Sequence, residues 1–171
     1  MPRKECRLNN EVIAVPSTDR ATPSRVLIAE PDECLLAEYQ EYMADDFEVV
    51  TALNGLECVA CLRDFVQDVL VLEPQLPWGG GDGVLTIMKM VAELAIIPVM
   101  ILTSCRDVVI LRSVAPFPIS DYCVKPLTPA QLTKRIRNVL EFRGRRINST
   151  EKSNSLNWRT ERRAGKVEIE P

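Results

Sequence analysis

The chain has 171 residues, of which 46% are hydrophobic and 26% charged, and its formal net charge at pH 7 is −3. That length allows one domain with a hydrophobic core and little more, and no apolar run approaches the roughly 18–20 residues that span a bilayer. The amino terminus lacks the apolar stretch of a secretory signal, so we expect a cytoplasmic protein without membrane contacts. The sequence contains no His, which excludes the commonest general base and the commonest zinc ligand.

The chain begins with a polar arm and then changes character. Residues 1–23 are mixed in charge and show no periodicity, which indicates a flexible arm. Residues 25–29, RVLIA, are a short apolar run before Glu30, Pro31 and Asp32, and this pattern predicts a buried strand. A helix is expected next, because Asp32 can cap its amino terminus. Apolar side chains then recur at helical spacing, namely Leu35, Leu36, Tyr39, Tyr42 and Met43.

Strands and helices alternate through the rest of this region. Apolar runs predict strands at residues 47–52, 69–72, 96–102 and 119–124, and helical periodicity predicts helices near residues 56–65, 82–94 and 106–114. A last helix has the clearest start, since Thr128, Pro129 and Gln131 form a capping-box arrangement. Five strands alternating with five helices predict a parallel sheet that is covered on both faces.

Residues 143–171 differ from the rest of the chain in charge. Between residues 143 and 166 there are eight Lys or Arg against two Glu, and apolar residues are few. This composition is typical of a basic, disordered tail. Such a tail is usually only solvated, but its charge is also compatible with binding to nucleic acid or to an acidic partner, and these alternatives stay open.

The six cysteines are expected to be reduced thiols, because the chain lacks a secretory signal. The one tight pair is Cys58 and Cys61. A redox motif would place the pair at the start of a helix, whereas here it falls in the middle of one. A zinc site would need a second pair of ligands at suitable spacing, and none is present. We therefore expect both cysteines to pack as small apolar side chains.

Polar side chains follow four of the predicted strands. In an open α/β sheet, ligands bind in the crevice just beyond the carboxyl ends of the strands. The sequence therefore predicts one polar site at that end of the sheet. Its members are Glu30 and Asp32 after the first strand, Glu73 after the third, Thr103 and Ser104 after the fourth and Lys125 after the fifth.

Four stretches around these residues, RVLIAEPDECLL, DVLVLEPQLPWGGGDG, PVMILTS and DYCVKPLTPAQL, resemble the receiver domain of two-component response regulators. The resemblance covers residues 24–142. It implies a flavodoxin-like (βα)5 fold, a doubly wound parallel sheet with the strand order 2-1-3-4-5. It also implies a phosphorelay signalling module rather than an enzyme, in which an Asp after the third strand accepts a phosphoryl group from a histidine kinase.

The resemblance also implies a role for individual residues. Glu73 falls at the phosphoacceptor position, Thr103 and Tyr122 at the switch positions, and Lys125 at the position of the phosphate-pairing cation. Glu30 and Asp32 would form the acidic pocket. A Mg²⁺ ion would be held by the side chains of Glu30, Asp32 and Glu73 and by the backbone carbonyl of Gln75.

Two positions depart from the family's pattern. Pro31 stands at the second acidic position, so that Asp32 comes one residue late, and Glu73 is one methylene longer than Asp. A displacement of the attacking oxygen by about 1.5 Å, one C–C bond length, lowers a phosphoryl-transfer rate by orders of magnitude, and the loss of a carboxylate weakens Mg²⁺ binding. The sequence therefore predicts an atypical receiver that is not phosphorylated, binds Mg²⁺ weakly and needs no other cofactor.

Three interpretations of the function follow. The preferred one is a phosphorylation-independent signalling module that acts through protein partners, such as a histidine kinase or an output protein. One alternative is a phosphorylatable stand-alone response regulator that uses Mg²⁺. A less favoured alternative is an unrelated flavodoxin-like enzyme, since the chain has no His and its WGGGDG segment lacks the Lys and Ser or Thr of a phosphate-binding loop.

Overall fold

A computed structural model describes residues 23–105 and 108–143 of the chain. The predictions of a flexible arm and of a disordered basic tail fall almost entirely on residues 1–22 and 144–171, which lie outside the described residues. None of the helices in the described ranges combines the length and the apolar character that a bilayer crossing requires.

Five strands alternate with helices along the described chain. The strands are β1 (Arg25–Ala29), β2 (Glu48–Ala52), β3 (Val69–Leu72), β4 (Val99–Thr103) and β5 (Ile119–Val124). The helices are α1 (Glu33–Met43), α2 (Gly55–Asp64), α3 (Gly80–Met90), α4 (Ala92–Ala95), α5 (Val108–Val114) and α6, which covers residues 129–143. The capping box at the start of α6 forms as predicted, since the backbone N–H groups of Thr128 and Gln131 each donate to the other residue's side chain.

The strands form one parallel sheet in the order β2-β1-β3-β4-β5, which confirms the predicted topology. The central strand β3 is buried along its whole length, as expected where helices cover both faces of a parallel sheet. One core layer includes α1 and α6, through Leu36, Tyr39, Met43, Leu132 and Ile136. The other includes α2, α3 and α5, through Cys58, Leu62, Val84, Leu85, Met88 and Val114.

The boundaries of two elements differ from the sequence prediction. The helix predicted at residues 82–94 begins earlier, at Gly80, and is interrupted at Val91, whose backbone is extended. The strand predicted at residues 96–102 begins only at Val99. Ile97 looked like part of the strand because it is apolar, but its N–H donates to the carbonyl of Leu94 and belongs to the preceding turn.

The pair Cys58 and Cys61 lies within α2, and the Cys58 side chain is fully buried in the core. Burial raises the pKa of the Cys58 thiol to about 12 and also raises the pKa of the Cys61 thiol. A thiol with a raised pKa holds little of the reactive thiolate. The packing role predicted for Cys58 is therefore confirmed by its position in the core.

Brief alkylation of the native protein at pH 8 should label Cys34, which is exposed, and leave Cys58 unlabelled. With a pKa of about 12, roughly one Cys58 thiol in 10⁴ is ionised at that pH. Peptide mapping by mass spectrometry reads the label on each cysteine, and the same reaction in urea provides the control in which both are labelled. Rapid labelling of native Cys58 would contradict its position in the core.

Candidate functional site

Four strands bring their polar residues to the same edge of the sheet. Glu30 and Glu73 each come directly after a strand, and their backbone N–H groups still donate to neighbouring strands, at 2.9 Å to Ala52 and 2.9 Å to Ala29. The N–H of Lys125 likewise donates to the carbonyl of Thr103, at 2.8 Å. These backbone contacts hold the first residue beyond each strand in register, so that the side chains of Glu30, Glu73, Thr103 and Lys125 converge. We call the space between these four residues the strand-end pocket.

The Glu73 carboxylate is buried and accepts hydrogen bonds from four donors. Its Oε1 atom accepts from the Thr103 hydroxyl at 2.9 Å and from the Gln75 backbone N–H at 3.2 Å. Its Oε2 atom accepts from the Lys125 ammonium at 3.0 Å and from the Ser104 backbone N–H at 3.3 Å. Because a buried charge is tolerated only when it is paired and hydrogen-bonded, these donors explain how Glu73 can be just 4% exposed.

The Lys125 ammonium lies between two carboxylates. Its Nζ atom donates to Oε2 of Glu30 as well as to Oε2 of Glu73. The side chains of Lys125, Glu30 and Glu73 are 12%, 3% and 5% exposed, respectively. One ammonium that is shielded from water therefore serves two buried carboxylates, and removing it would leave two like charges facing each other.

A hydrogen bond from α1 holds the segment after Lys125 in place. The Lys125–Pro126 peptide bond is cis. The hydroxyl of Tyr39 in α1 donates to the backbone carbonyl of Leu127 at 2.9 Å. Burial, with smaller contributions from Glu30, Glu38 and Cys123, raises the pKa of Tyr39 to about 12, so the hydroxyl keeps its proton and remains a donor. No pattern in the sequence indicated this hydrogen bond between α1 and the segment that follows β5.

Asp32 and Gln75 do not place their side chains among these contacts. The Asp32 carboxylate caps α1, where it accepts from the backbone N–H groups of Cys34 at 3.0 Å and Leu35 at 3.1 Å. Asp32 contributes only its backbone N–H to the pocket, at 3.3 Å from Oε1 of Glu30. Gln75 is exposed and contributes its N–H to Glu73. These two hydrogen bonds confirm the capping role that the sequence predicted for Asp32.

The donor set does not fit the predicted Mg²⁺ ion. Magnesium is held by carboxylate and carbonyl oxygens in near-octahedral geometry. In the strand-end pocket, the Oε2 atoms of Glu30 and Glu73 both bond to the Lys125 ammonium. Across the described part of the chain, no group of three or more His, Cys, Asp or Glu side chains is arranged to hold a metal ion. The set of Glu30, Asp32, Glu73 and Gln75 therefore does not form a magnesium site in this structure.

Tyr122, predicted as the switch aromatic, is partly buried beside the pocket. Its hydroxyl is shielded from water, and no group among the described residues forms a hydrogen bond with it. Burial raises the pKa of this hydroxyl, and Cys105 and Glu73 add smaller contributions of the same sign. The role of Tyr122 as a switch stays a prediction.

The loop from β3 to α3 is shaped by glycines. Trp78 and Gly79 both have positive φ angles, of 51° and 108°, and Trp78 is 75% exposed. At Gly81, a Cβ atom would lie 2.6 Å from Cα of Pro74, the residue directly after Glu73. Two of the three glycines at residues 79–81 belong to α3, which begins at Gly80 and not at residue 82 as the sequence predicted. The close approach of Gly81 to Pro74 was missed, although three consecutive glycines are the signal of a tightly packed backbone.

The fold agrees with the comparison with known families. Residues 26–137 match the response regulator receiver domain, and the chain therefore belongs to that family. Among solved structures, a CheY-like receiver domain protein from Methanospirillum hungatei shares 18% sequence identity with a TM-score of 0.67, and the match covers 73% of this chain and 99% of that one. The chemotaxis response regulator CheY4 of Vibrio cholerae shares 22% identity with a TM-score of 0.64, over 69% of this chain and 99% of that one.

Curated relatives are longer than this chain. The transcriptional regulatory protein PrrA of Mycobacterium tuberculosis is 29% identical over 124 residues, which are 72% of this chain and 52% of the relative. The probable transcriptional regulator ycf27 of Porphyra purpurea is 32% identical over 94 residues, 55% of this chain and 37% of the relative. The sensor histidine kinase TmoS of Ectopseudomonas mendocina is 24% identical over 119 residues, 70% of this chain and 12% of the relative. The chain thus spans about half or less of each of these relatives.

Proposed function

We propose that this receiver domain signals through protein contacts without being phosphorylated. The observation that carries the proposal is the set of four hydrogen bonds to the Glu73 carboxylate. An ionised carboxylate offers about four acceptor positions. With these four donors in place, attack on an incoming phosphodonor would require Glu73 to give up at least one of its hydrogen bonds.

The donors that hold Glu73 support the same proposal. By resemblance to the family, Thr103 and Lys125 are the residues that bind phosphoryl oxygens, and here both bond to Glu73. The Glu73 carboxylate thus occupies the hydrogen-bonding positions that phosphoryl oxygens would take in a phosphorylated receiver. A charge-assisted hydrogen bond contributes about 1.5–3 kcal/mol. A bias of that size favours one arrangement of the pocket by about 10- to 100-fold.

The partner we propose is a protein of a two-component pathway, either a histidine kinase or an output protein, and the site of action is the cytoplasm. Relatives named as a sensor histidine kinase and as transcriptional regulators support a role in such a pathway. The basic residues between 143 and 166 remain candidates for an additional nucleic-acid contact, and they lie almost wholly outside the described residues.

Incubation with a small phosphodonor and Mg²⁺ should leave the intact mass of the natural protein unchanged. The Glu73→Asp variant should gain about 80 Da, one phosphoryl group, in a small fraction of molecules. The shorter side chain withdraws from Lys125 and Thr103 and restores the family's acceptor. The yield should stay low, because Pro31 still occupies the second acidic position and keeps Mg²⁺ binding weak.

The Glu73→Gln variant serves as the matched control, since it keeps the length of the side chain and removes the attacking carboxylate. It should gain no mass under the same conditions. If the natural protein gains the phosphoryl mass and Glu73→Gln abolishes that gain, Glu73 accepts the phosphoryl group. The chain is then a phosphorylatable response regulator and the proposal is wrong.

A further inference from the structure

The strand-end pocket holds two carboxylates and one ammonium, so the chain itself supplies a counter-charge for one of the two negative charges. Glu30 and Glu73 are both nearly excluded from water, and both bond to the Lys125 ammonium. Two neighbouring carboxylates repel each other, and a positive charge that bonds to both of them offsets that repulsion. The remaining negative charge is stabilised by hydrogen bonds from uncharged donors, which are the Thr103 hydroxyl and the backbone N–H groups of Asp32, Gln75 and Ser104.

A divalent cation would compete with Lys125 for the same oxygens. To bind between Glu30 and Glu73, the ion would need oxygens from both side chains, and Oε2 of each already accepts from the ammonium. A third carboxylate is not at hand, because Asp32 accepts from the first turn of α1. Pro31 has no side-chain oxygen to offer. A cation would therefore have to displace the ammonium and would gain few ligands in return.

We propose that Lys125 is the resident counter-ion of the strand-end pocket and takes the place of a divalent cation. The natural protein then has no divalent-cation site at these strand ends. Removing the ammonium turns Glu30 and Glu73 into a pair of buried carboxylates that captures a small divalent ion such as Mn²⁺ or Mg²⁺. The inference deepens the proposed function, since it rests on the same contact between Lys125 and Glu73.

Titration with Mn²⁺, read by the paramagnetic signal of the free ion, tests this inference. The natural protein should show no saturable site. Lys125→Met should bind one Mn²⁺ ion, with an affinity at least on the order of 100-fold above the weak, unsaturable binding of the natural protein. That is the scale expected when the partner of a buried charge is lost. Lys134→Met removes an exposed lysine of α6 and should behave like the natural protein. The double variant Lys125→Met with Glu73→Gln keeps one carboxylate and should lose the acquired site.

The natural protein decides the question even if Lys125→Met does not fold. A saturable Mn²⁺ site in the natural protein that Glu30→Gln abolishes would overturn the inference. A folded Lys125→Met that takes up no ion would overturn it as well. The counter-ion role and the proposed function can fail independently of each other. Ion binding without phosphorylation would remove only the counter-ion role, and phosphorylation that persists in a chelator would remove only the proposed function.

Discussion

Replacing Lys125 with Met should lower the free energy of unfolding by about 3–5 kcal/mol, the usual result of removing one partner from a buried ion pair. The substitution keeps most of the side-chain volume, so the loss comes from charge rather than from packing. It leaves the carboxylates of Glu30 and Glu73, 3% and 5% exposed, without their shared ammonium. Equilibrium unfolding in urea at pH 7, without divalent ions, measures the difference.

The matched control is Lys134→Met, which removes an exposed lysine from α6. It should change the free energy of unfolding by no more than about 0.5 kcal/mol, as surface substitutions usually do. Lys125→Arg should fall between the two, because it keeps the charge but alters the shape of the donor. A Lys125→Met variant as stable as the Lys134→Met control would show that the buried carboxylates do not depend on the ammonium.

The second large effect is expected at Gly81. In Gly81→Ala, the new Cβ atom would lie 2.6 Å from Cα of Pro74 and 3.0 Å from its carbonyl oxygen. Both are backbone atoms, so the β3–α3 loop or α3 itself has to move. Forcing a methyl group into a packed site costs about 1–3 kcal/mol. Thermal or urea unfolding should show this loss of stability.

Gly83→Ala offers a control two residues further along the same helix. A Cβ atom there meets nothing within 4 Å, and Ala in the interior of a helix is about 0.5–1 kcal/mol more favourable than Gly. The two Gly-to-Ala changes should therefore have opposite signs. Because Pro74 follows Glu73, Gly81→Ala should also shift the amide resonances of Gln75 and Ser104, which donate to the Glu73 carboxylate. Equal effects from both substitutions would mean that the Gly81–Pro74 contact is not tight.

Much of the fold could be predicted from local patterns. The apolar runs of β1 and β3, the N-cap at Asp32 and the capping box at Thr128 lie where the sequence indicated them. Each depends on residues close together in the chain. The prediction was weaker at Val91, where a continuous apolar pattern spans the break between α3 and α4. Periodicity does not distinguish one long helix from two short ones that bury the same face.

The choice of site residues came from topology and resemblance, and the structure brings Glu30, Glu73, Thr103 and Lys125 together as that reasoning requires. It does not bring in the Asp32 carboxylate, because a residue that starts a helix can direct its oxygens to the exposed N–H groups of the first turn. The sequence contains both possibilities for Asp32, metal ligand and cap. Side-chain direction, which only the structure gives, decides between them.

Apolar periodicity and the rule that parallel strands end at one edge were enough to predict the order of strands and helices, the parallel sheet and the acid that follows β3. The contacts of that acid depend on the folded chain. The donors that hold Glu73 come from positions 75, 103, 104 and 125, and their distances depend on the register of β3, β4 and β5 and on the loop that Gly81 lets close against Pro74. Such distances arise from packing between segments far apart in the chain, so only the folded chain gives them.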